Sequence, residues 1–168
     1  RTNLPAGLFG FTITNIGGRL YAIGGAYISY RGVSRIVYQS TDWIFTSDDG
    51  VNWTYADGYY HFPPRAYHSA AVLDGEIYVA GGGCYPDRGH SDVYASLNLM
   101  DWSRRYDRDA FGQKGDLWRS WKKRSMFAID GKLVLVGGHY NRCNTSISPQ
   151  EIYIEPDFYY ISDPDDAD

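Results

Sequence analysis

Asp74-Gly-Glu-Ile-Tyr-Val-Ala-Gly-Gly82 aligns without gaps on Gly17-Gly-Arg-Leu-Tyr-Ala-Ile-Gly-Gly25 and on Asp130-Gly-Lys-Leu-Val-Leu-Val-Gly-Gly138. The closing glycines, Gly25, Gly82 and Gly138, stand 57 and 56 residues apart, and three such periods account for the 168-residue chain. A fixed period of this length is the mark of a repeat architecture. Each copy has the same local logic. The opening Asp-Gly or Gly-Gly pair supplies the positive φ angles of a two-residue hairpin turn. The apolar run behind it (Leu20–Ile23, Ile77–Ala80, Leu133–Val136) reads as a strand buried on both faces. The doublets Gly24-Gly25, Gly81-Gly82 and Gly137-Gly138 then end that strand where backbones crowd or bend.

Working outward, a second short strand precedes each turn, ending in Thr12-Ile-Thr14, Ser69–Leu73 and Ser125–Ile129. A variable loop follows each doublet, then another strand, then a late aromatic residue: Trp53, Trp102 and Phe158. Four strands per period with an aromatic anchor on the outermost one describe a propeller blade. The expected fold is all-β, a partial β-propeller of three four-stranded antiparallel blades of about 56 residues. The expected divisions are residues 1–62, 63–117 and 118–162 for the blades, with an acidic flexible tail at 163–168. Aromatic residues make up 17% of the chain and glycines number 19, which suits strands punctuated by tight turns.

The second copy, Arg65-Ala-Tyr-His-Ser69 through Gly82 and on to Asp92-Val-Tyr94 and Trp102, resembles a kelch repeat nearly throughout. The first and third are similar but degenerate: Arg124-Ser125 stands where the second has His68-Ser69, and Phe158 replaces Trp102. The resemblance spans about residues 10–160 and implies a propeller scaffold, which hosts many unrelated functions. Thr46-Ser-Asp-Asp-Gly-Val-Asn-Trp53 in turn resembles the Asp-box of sialidases. That resemblance implies a structural hairpin, with the Asp48 carboxylate accepting turn N–H groups, Gly50 making the turn and Trp53 packed underneath. Ser96-Leu-Asn-Leu-Met-Asp-Trp102 is similar to the S-x-D-L-x-x-W hairpins of some propeller glycosidases.

Antiparallel strands alternate direction, so the loops after the glycine doublets and the links between blades share one face. That face collects Tyr27, Tyr30, Tyr59, His61, Tyr85, Arg88, His90, Trp118, Arg119, His139, Tyr140 and Arg142. Loops on a rigid scaffold are where recognition concentrates, and Tyr, Trp and Arg dominate binding hot spots. Between Ser103 and Arg124, eight Lys or Arg face three Asp. The local charge is therefore +5, against −9 for the remainder of a chain whose net charge is −4. Basic residues interleaved with aromatics suit a glycan or an anionic ligand at 104–124. The alternative is a solvated link that balances an acidic partner chain. The overall negative charge argues against nucleic acid as a general partner, and no apolar run is long enough for a membrane span.

The residues offer no catalytic constellation. The four histidines are scattered, and no motif puts a base and an orienting group beside a nucleophile. Cys84 and Cys143 fall in equivalent loops and read as a disulfide between adjacent blades, with free thiols as the alternative. With His90 and His139 they make a Cys₂His₂ set on paper, but the spacings lack a zinc-knuckle turn, so neither a metal nor any other cofactor is expected. Asn144-Thr-Ser146 is an N-glycosylation acceptor, as is Asn52-Trp-Thr54. These features point to an extracellular or cell-surface location, with the cytoplasm as the alternative.

The expected function is a non-catalytic propeller segment that mediates protein binding or assembly through its loop face. The alternatives are part of a glycosidase or sialidase-like propeller enzyme, and a carbohydrate-binding lectin. Three blades are too few to close a ring, so further blades are expected from another chain, a remainder or a second copy. The start at Arg1 without Met favours a remainder or partner chain over a second copy.

Overall fold

The computed structural model describes residues 3–31, 35–56, 62–83, 90–106, 119–122, 125–136, 139–142, 153–154 and 159–161. Among them there are strands and no helix. In chain order these are β1 (Thr12–Ile16), β2 (Arg19–Ile23), β3 (Ala26–Arg31), β4 (Arg35–Ser40), β5 (Ile44–Ser47), β6 (Thr54–Tyr55), β7 (Ser69–Leu73) and β8 (Glu76–Ala80). They continue with β9 (Val93–Ser96), β10 (Ser103–Tyr106), β11 (Arg119–Lys122), β12 (Ser125–Ile129), β13 (Lys132–Val136), β14 (His139–Arg142), β15 (Tyr153–Ile154) and β16 (Tyr159–Ile161). The fold is all-β, and its antiparallel sheets are consistent with partial β-propeller blades.

The first sheet has the order β1-β2-β5-β6 and the second the order β7-β8-β9-β10. A third sheet comprises β12-β13-β16, so three of its strands lie among the described residues. The turns behave as the residues dictate. Both central positions have positive φ at Gly17-Gly18 (59° and 89°), Asp74-Gly75 (50° and 82°) and Asp130-Gly131 (51° and 72°). That is the type I′ geometry whose twist matches the flanking strands. β7 lies beside both β1 and β12, so the first strands of the three sheets pack next to one another.

The second sheet is covered on both faces. Its Ile77, Val79 and Trp102 join Ile23, Ile44 and Phe62 in one core cluster against the first sheet. Its Ala71, Leu73, Tyr78, Ala80, Val93 and Ala95 join Met126, Leu133 and Leu135 in another, against the third. This is why β8 is apolar at successive positions rather than at alternate ones. Among the described residues, the outer sheets leave apolar side chains exposed on the face turned away from the second sheet. On the far side of the first sheet Ile13 is 53% and Tyr55 46% exposed; on the far side of the third, Phe127 is 50% and Ile129 52% exposed.

The outer hairpins of the first two sheets are one loop built twice. Ser47-Asp-Asp-Gly-Val-Asn-Trp53 and Ser96-Leu-Asn-Leu-Met-Asp-Trp102 superpose bond for bond. Ser47 Oγ accepts from Gly50 N at 2.9 Å, and Ser96 Oγ from Leu99 N at 2.8 Å. Asp49 Oδ1 accepts from Val51 N and Asn52 N at 2.8 and 2.7 Å; Asn98 Oδ1 accepts from Met100 N and Asp101 N, both at 2.9 Å. Trp53 Nε1 donates to Gly50 O and Trp102 Nε1 to Leu99 O, each at 3.1 Å. Both indoles are buried.

This corrects the expected role of Asp48. The loop begins at Ser47, so the carboxylate that meets the turn N–H groups is Asp49. Asp48 faces outward and forms a two-bond pair with Arg19, at 2.7 and 3.0 Å. The N–H groups of Asn52 and Val51, then the Asn52 amide, hold the Asp49 carboxyl well below the usual carboxylate range. A lowered carboxylate contributes stability above its unfolded pKa, and that contribution is lost as pH falls through the folded one. Since Asn98 does the same work uncharged, Asp49→Asn should fold at neutral pH and lose less stability than the parent between about pH 5 and pH 3. Urea unfolding at several pH values measures this; an unchanged acid profile would refute the assignment.

Candidate functional site

One end of the sheets gathers the links that enter each sheet and the segments that leave the glycine doublets. Phe9 and Ala26 exchange both backbone bonds, at 2.9 and 2.8 Å. At the same position 57 residues on, Gly83 N donates to Ala66 O at 2.8 Å. In the third instance Lys122 pairs with His139. The link Arg65-Ala-Tyr-His68 runs between two doublets. Gly25 N donates to Arg65 O at 2.8 Å, and Tyr67, held at φ 57°, donates to Gly10 O at 2.7 Å. A Cβ on Gly24 would stand 2.7 Å from the His68 ring, and one on Gly82 would stand 2.7 Å from both Ala66 O and His68 Cβ. The doublets are glycine because the link's backbone occupies the space a side chain needs.

A buried cation stiffens this collar. Arg65 is fully buried; its Nε donates to Pro63 O at 3.1 Å and its Nη1 to Gly81 O at 3.0 Å. Nη1 also lies 2.9 Å from Asp92 Oδ1 in an ion pair, and the guanidinium sits 5.5 Å from the Phe62 ring centre and 5.4 Å from that of Tyr94. Burial lowers the Arg65 pKa, and the Asp92 carboxylate opposes that shift. Beside it, His68 Nε2 lies 3.0 Å from Thr12 Oγ1, and His90 Nε2 lies 3.2 Å from Pro64 O. Burial first, then the charges of Arg65 and His90, push His68 down to about 3.

His68 therefore stays neutral in the fold while its unfolded counterpart protonates near pH 6.5. Its contribution is complete above that pH and erodes as pH falls, by about 1.4 kcal/mol per unit while the unfolded state alone holds the proton. His68→Gln should flatten the fall in stability between about pH 6.5 and pH 5. An identical pH profile in the variant would count against a buried neutral imidazole.

The predicted recognition residues divide by where they lie. Tyr27 is half-buried, and its ring stacks on Trp43 at 5.0 Å and 9°. His90 stands on the link-facing side of the second sheet, its N–H donating to Gly82 O at 2.8 Å. Tyr30 is on β3, Arg119 on β11, and His139, Tyr140 and Arg142 on β14. Tyr27 is on β3 as well, so the expectation that these six sit on loops is corrected. β3 and β4 pair antiparallel, and β11, β14 and β15 form a separate three-stranded sheet. Backbone groups leaving a strand end must still be paired, and strand addition pairs them. Tyr59, His61, Tyr85, Arg88 and Trp118 lie outside the described residues, as do Cys84, Cys143, Asn144, Gly137, Gly138, Phe158 and the tail. Among the described residues no group of three His, Cys, Asp or Glu could hold a metal. Part of the basic stretch is already engaged, since Arg105 pairs with Glu76.

Sequence reasoning passed over Arg65 and Asp92 as functional positions; nothing local links residues so far apart. The likeness of the two outer hairpins, by contrast, was available as a gapless match of Ser47–Trp53 on Ser96–Trp102.

The family comparison falls on this collar. A Kelch motif matches residues 64–95. The match runs from the link carrying Arg65, through both strands around the Asp74-Gly75 turn and the Gly81-Gly82 doublet, to the strand after Asp92. No curated protein matches the chain. Among the described residues no helix is long and apolar enough to cross a membrane.

Proposed function

We propose that this chain is a non-catalytic propeller segment that assembles with further sheets and binds a partner at its loop end. The observation that carries the reading is the pair of open faces. Inside the chain, the face bearing Ala71, Leu73 and Tyr78 receives the face bearing Met126, Leu133 and Leu135. By the same offset, Phe127 and Ile129 belong to the receiving kind of face, and Ile13 to the received kind. Each end thus presents the complement of the other, with exposed apolar residues on both. Sheets added head to tail would cover both faces, and such heterologous contacts close into rings. The added sheets belong to a remainder, a partner chain or a second copy.

The loop end supports recognition in this reading because its links are pinned by buried Arg65 and by the glycine doublets, which gives displayed residues a rigid base. The cysteines and the Asn144 acceptor sequence favour a place outside the cell. Native mass spectrometry and light scattering test the assembly. We expect a species heavier than 19.0 kDa; a monodisperse 19.0 kDa monomer with intact sheets would overturn it.

A further inference from the structure

On the first sheet Ile13 stands opposite Ala22, Ala22 opposite Phe45 and Phe45 opposite Tyr55. Residues directly opposite share a face, so this row crosses all four strands on the side turned away from the second sheet. Ile13 and Tyr55 are exposed, and the rings of Phe45 and Tyr55 lie 5.4 Å apart. On the third sheet Phe127 stands opposite Val134, and alternation along the strand returns Ile129 to the same face. Phe127 and Ile129 are exposed as well. The chain therefore carries two open apolar faces, one at each end of its three sheets.

In the closed contact between the second and third sheets, Ala71 and Tyr78 stand opposite one another and receive Met126 and Leu135, likewise opposite one another. One period on, the receiving pair becomes Phe127 and Val134, which is bulkier than Ala71 and Tyr78. Two periods back, the received pair becomes Ile13 and Ala22, which is smaller than Met126 and Leu135. The surplus on one open face thus meets a deficit on the other. Together these four residues take up a volume between those of the two closed contacts. Thr14, Tyr21, Ala70 and Val79 fill less, and Ala71, Tyr78, Met126 and Leu135 fill more. Protein interiors pack to a constant density, and swaps that conserve total volume are the ones tolerated. Asn15, in the place of Ala128 at the rim, already accepts from Gly18 N through its Oδ1 at 3.0 Å.

We infer that the occupant of both faces is a second copy of this chain, placed head to tail, so that each copy's third sheet receives the other's first sheet. The inference rests on the assembly reading and names its partner. Two such contacts close a ring of six sheets, within the roughly four to eight that propellers use, and closure covers both open faces of each copy. Sedimentation and native mass spectrometry on the whole chain test it. We expect a species of twice 19.0 kDa. Phe127→Asp or Ile13→Lys alters both contacts of the ring at once and should weaken the dimer at least about a hundredfold. Mixing the two variants leaves one contact unaltered and sets opposite charges against each other in the second, so the dimer should return. Phe127→Ala, which removes the ring without adding charge, should weaken it about tenfold. Leu97→Asp, at an exposed apolar residue of the second sheet's outer hairpin, should leave it intact.

Circular dichroism spectra of the variants matching the parent's show that a lost dimer is not a lost fold. A mixture that stays monomeric, a dimer indifferent to Phe127→Asp and Ile13→Lys, or an equal loss in Leu97→Asp would overturn the inference. A heavier species of another stoichiometry, or one that holds a second kind of chain, defeats this inference and leaves the assembly reading standing. A monodisperse 19.0 kDa monomer with intact sheets defeats both.

Discussion

Trp102→Ala lowers the stability of the folded chain by about 3–5 kcal/mol, the range for deleting a large buried aromatic. The indole is 8% exposed and packs edge-on against Phe62, with ring centres 4.9 Å apart at 80°. It sits in the cluster that joins the first and second sheets, with Ile23, Ile44, Ile77 and Val79. Removing it opens a cavity that the surrounding strands, fixed by their own hydrogen bonds, close only in part. The Nε1–H bond to Leu99 O goes with it and frees the hairpin that Ser96 and Asn98 shape. Trp102→Phe keeps an aromatic ring, loses that bond and part of the packed volume, and should cost about 1–3 kcal/mol. Urea unfolding followed by circular dichroism gives both values. A Trp102→Ala midpoint equal to the parent's would show that the anchor is elsewhere.

Arg65→Met should be as damaging, by about 3–5 kcal/mol, because it breaks a buried pair from one side. The aliphatic stem is replaced closely enough that packing is little changed. What is lost is the charge that faces Asp92 at 2.9 Å and the donors that satisfy Pro63 O and Gly81 O. Asp92, whose side chain is only 16% exposed, is then left without its cation, and two carbonyls lose partners. The double variant Arg65→Met with Asp92→Leu removes both charges and should be more stable than Arg65→Met alone. If the double variant is the less stable of the two, the Asp92 contact is not what makes Arg65 costly to remove. The same cycle separates the ion pair from the stacking of the guanidinium on Phe62 and Tyr94.

Much of the fold was legible because its rules act over a few residues. A type I′ turn needs two positive φ angles in succession, and Asp-Gly or Gly-Gly announces it at Gly17, Asp74 and Asp130. A strand buried on both faces must be apolar at every position, and Ile77–Ala80 shows that directly. The late tryptophans are buried anchors for the same reason, since each indole closes its own seven-residue loop. The Asp48 assignment failed on a shift of one residue. A sequence pattern names the types present, and only the backbone shows which of two adjacent carboxylates meets the turn.

The sequence by itself determined the all-β class, the three tight turns, the strand that buries both faces, and the two buried tryptophan anchors. Each of these depends on the preference of one residue or of a few neighbours. The tertiary structure alone decided the Arg65–Asp92 pair, the link threaded between Gly24 and Gly82, and the strand pairing that sets Arg119 opposite Arg142. These join groups from separate elements, and loop closure between such groups has no local signature. It also decided which faces stay open. Ile13 and Phe127 are as apolar as Ile77, and what separates them is whether another sheet lies against them, which no property of a side chain records.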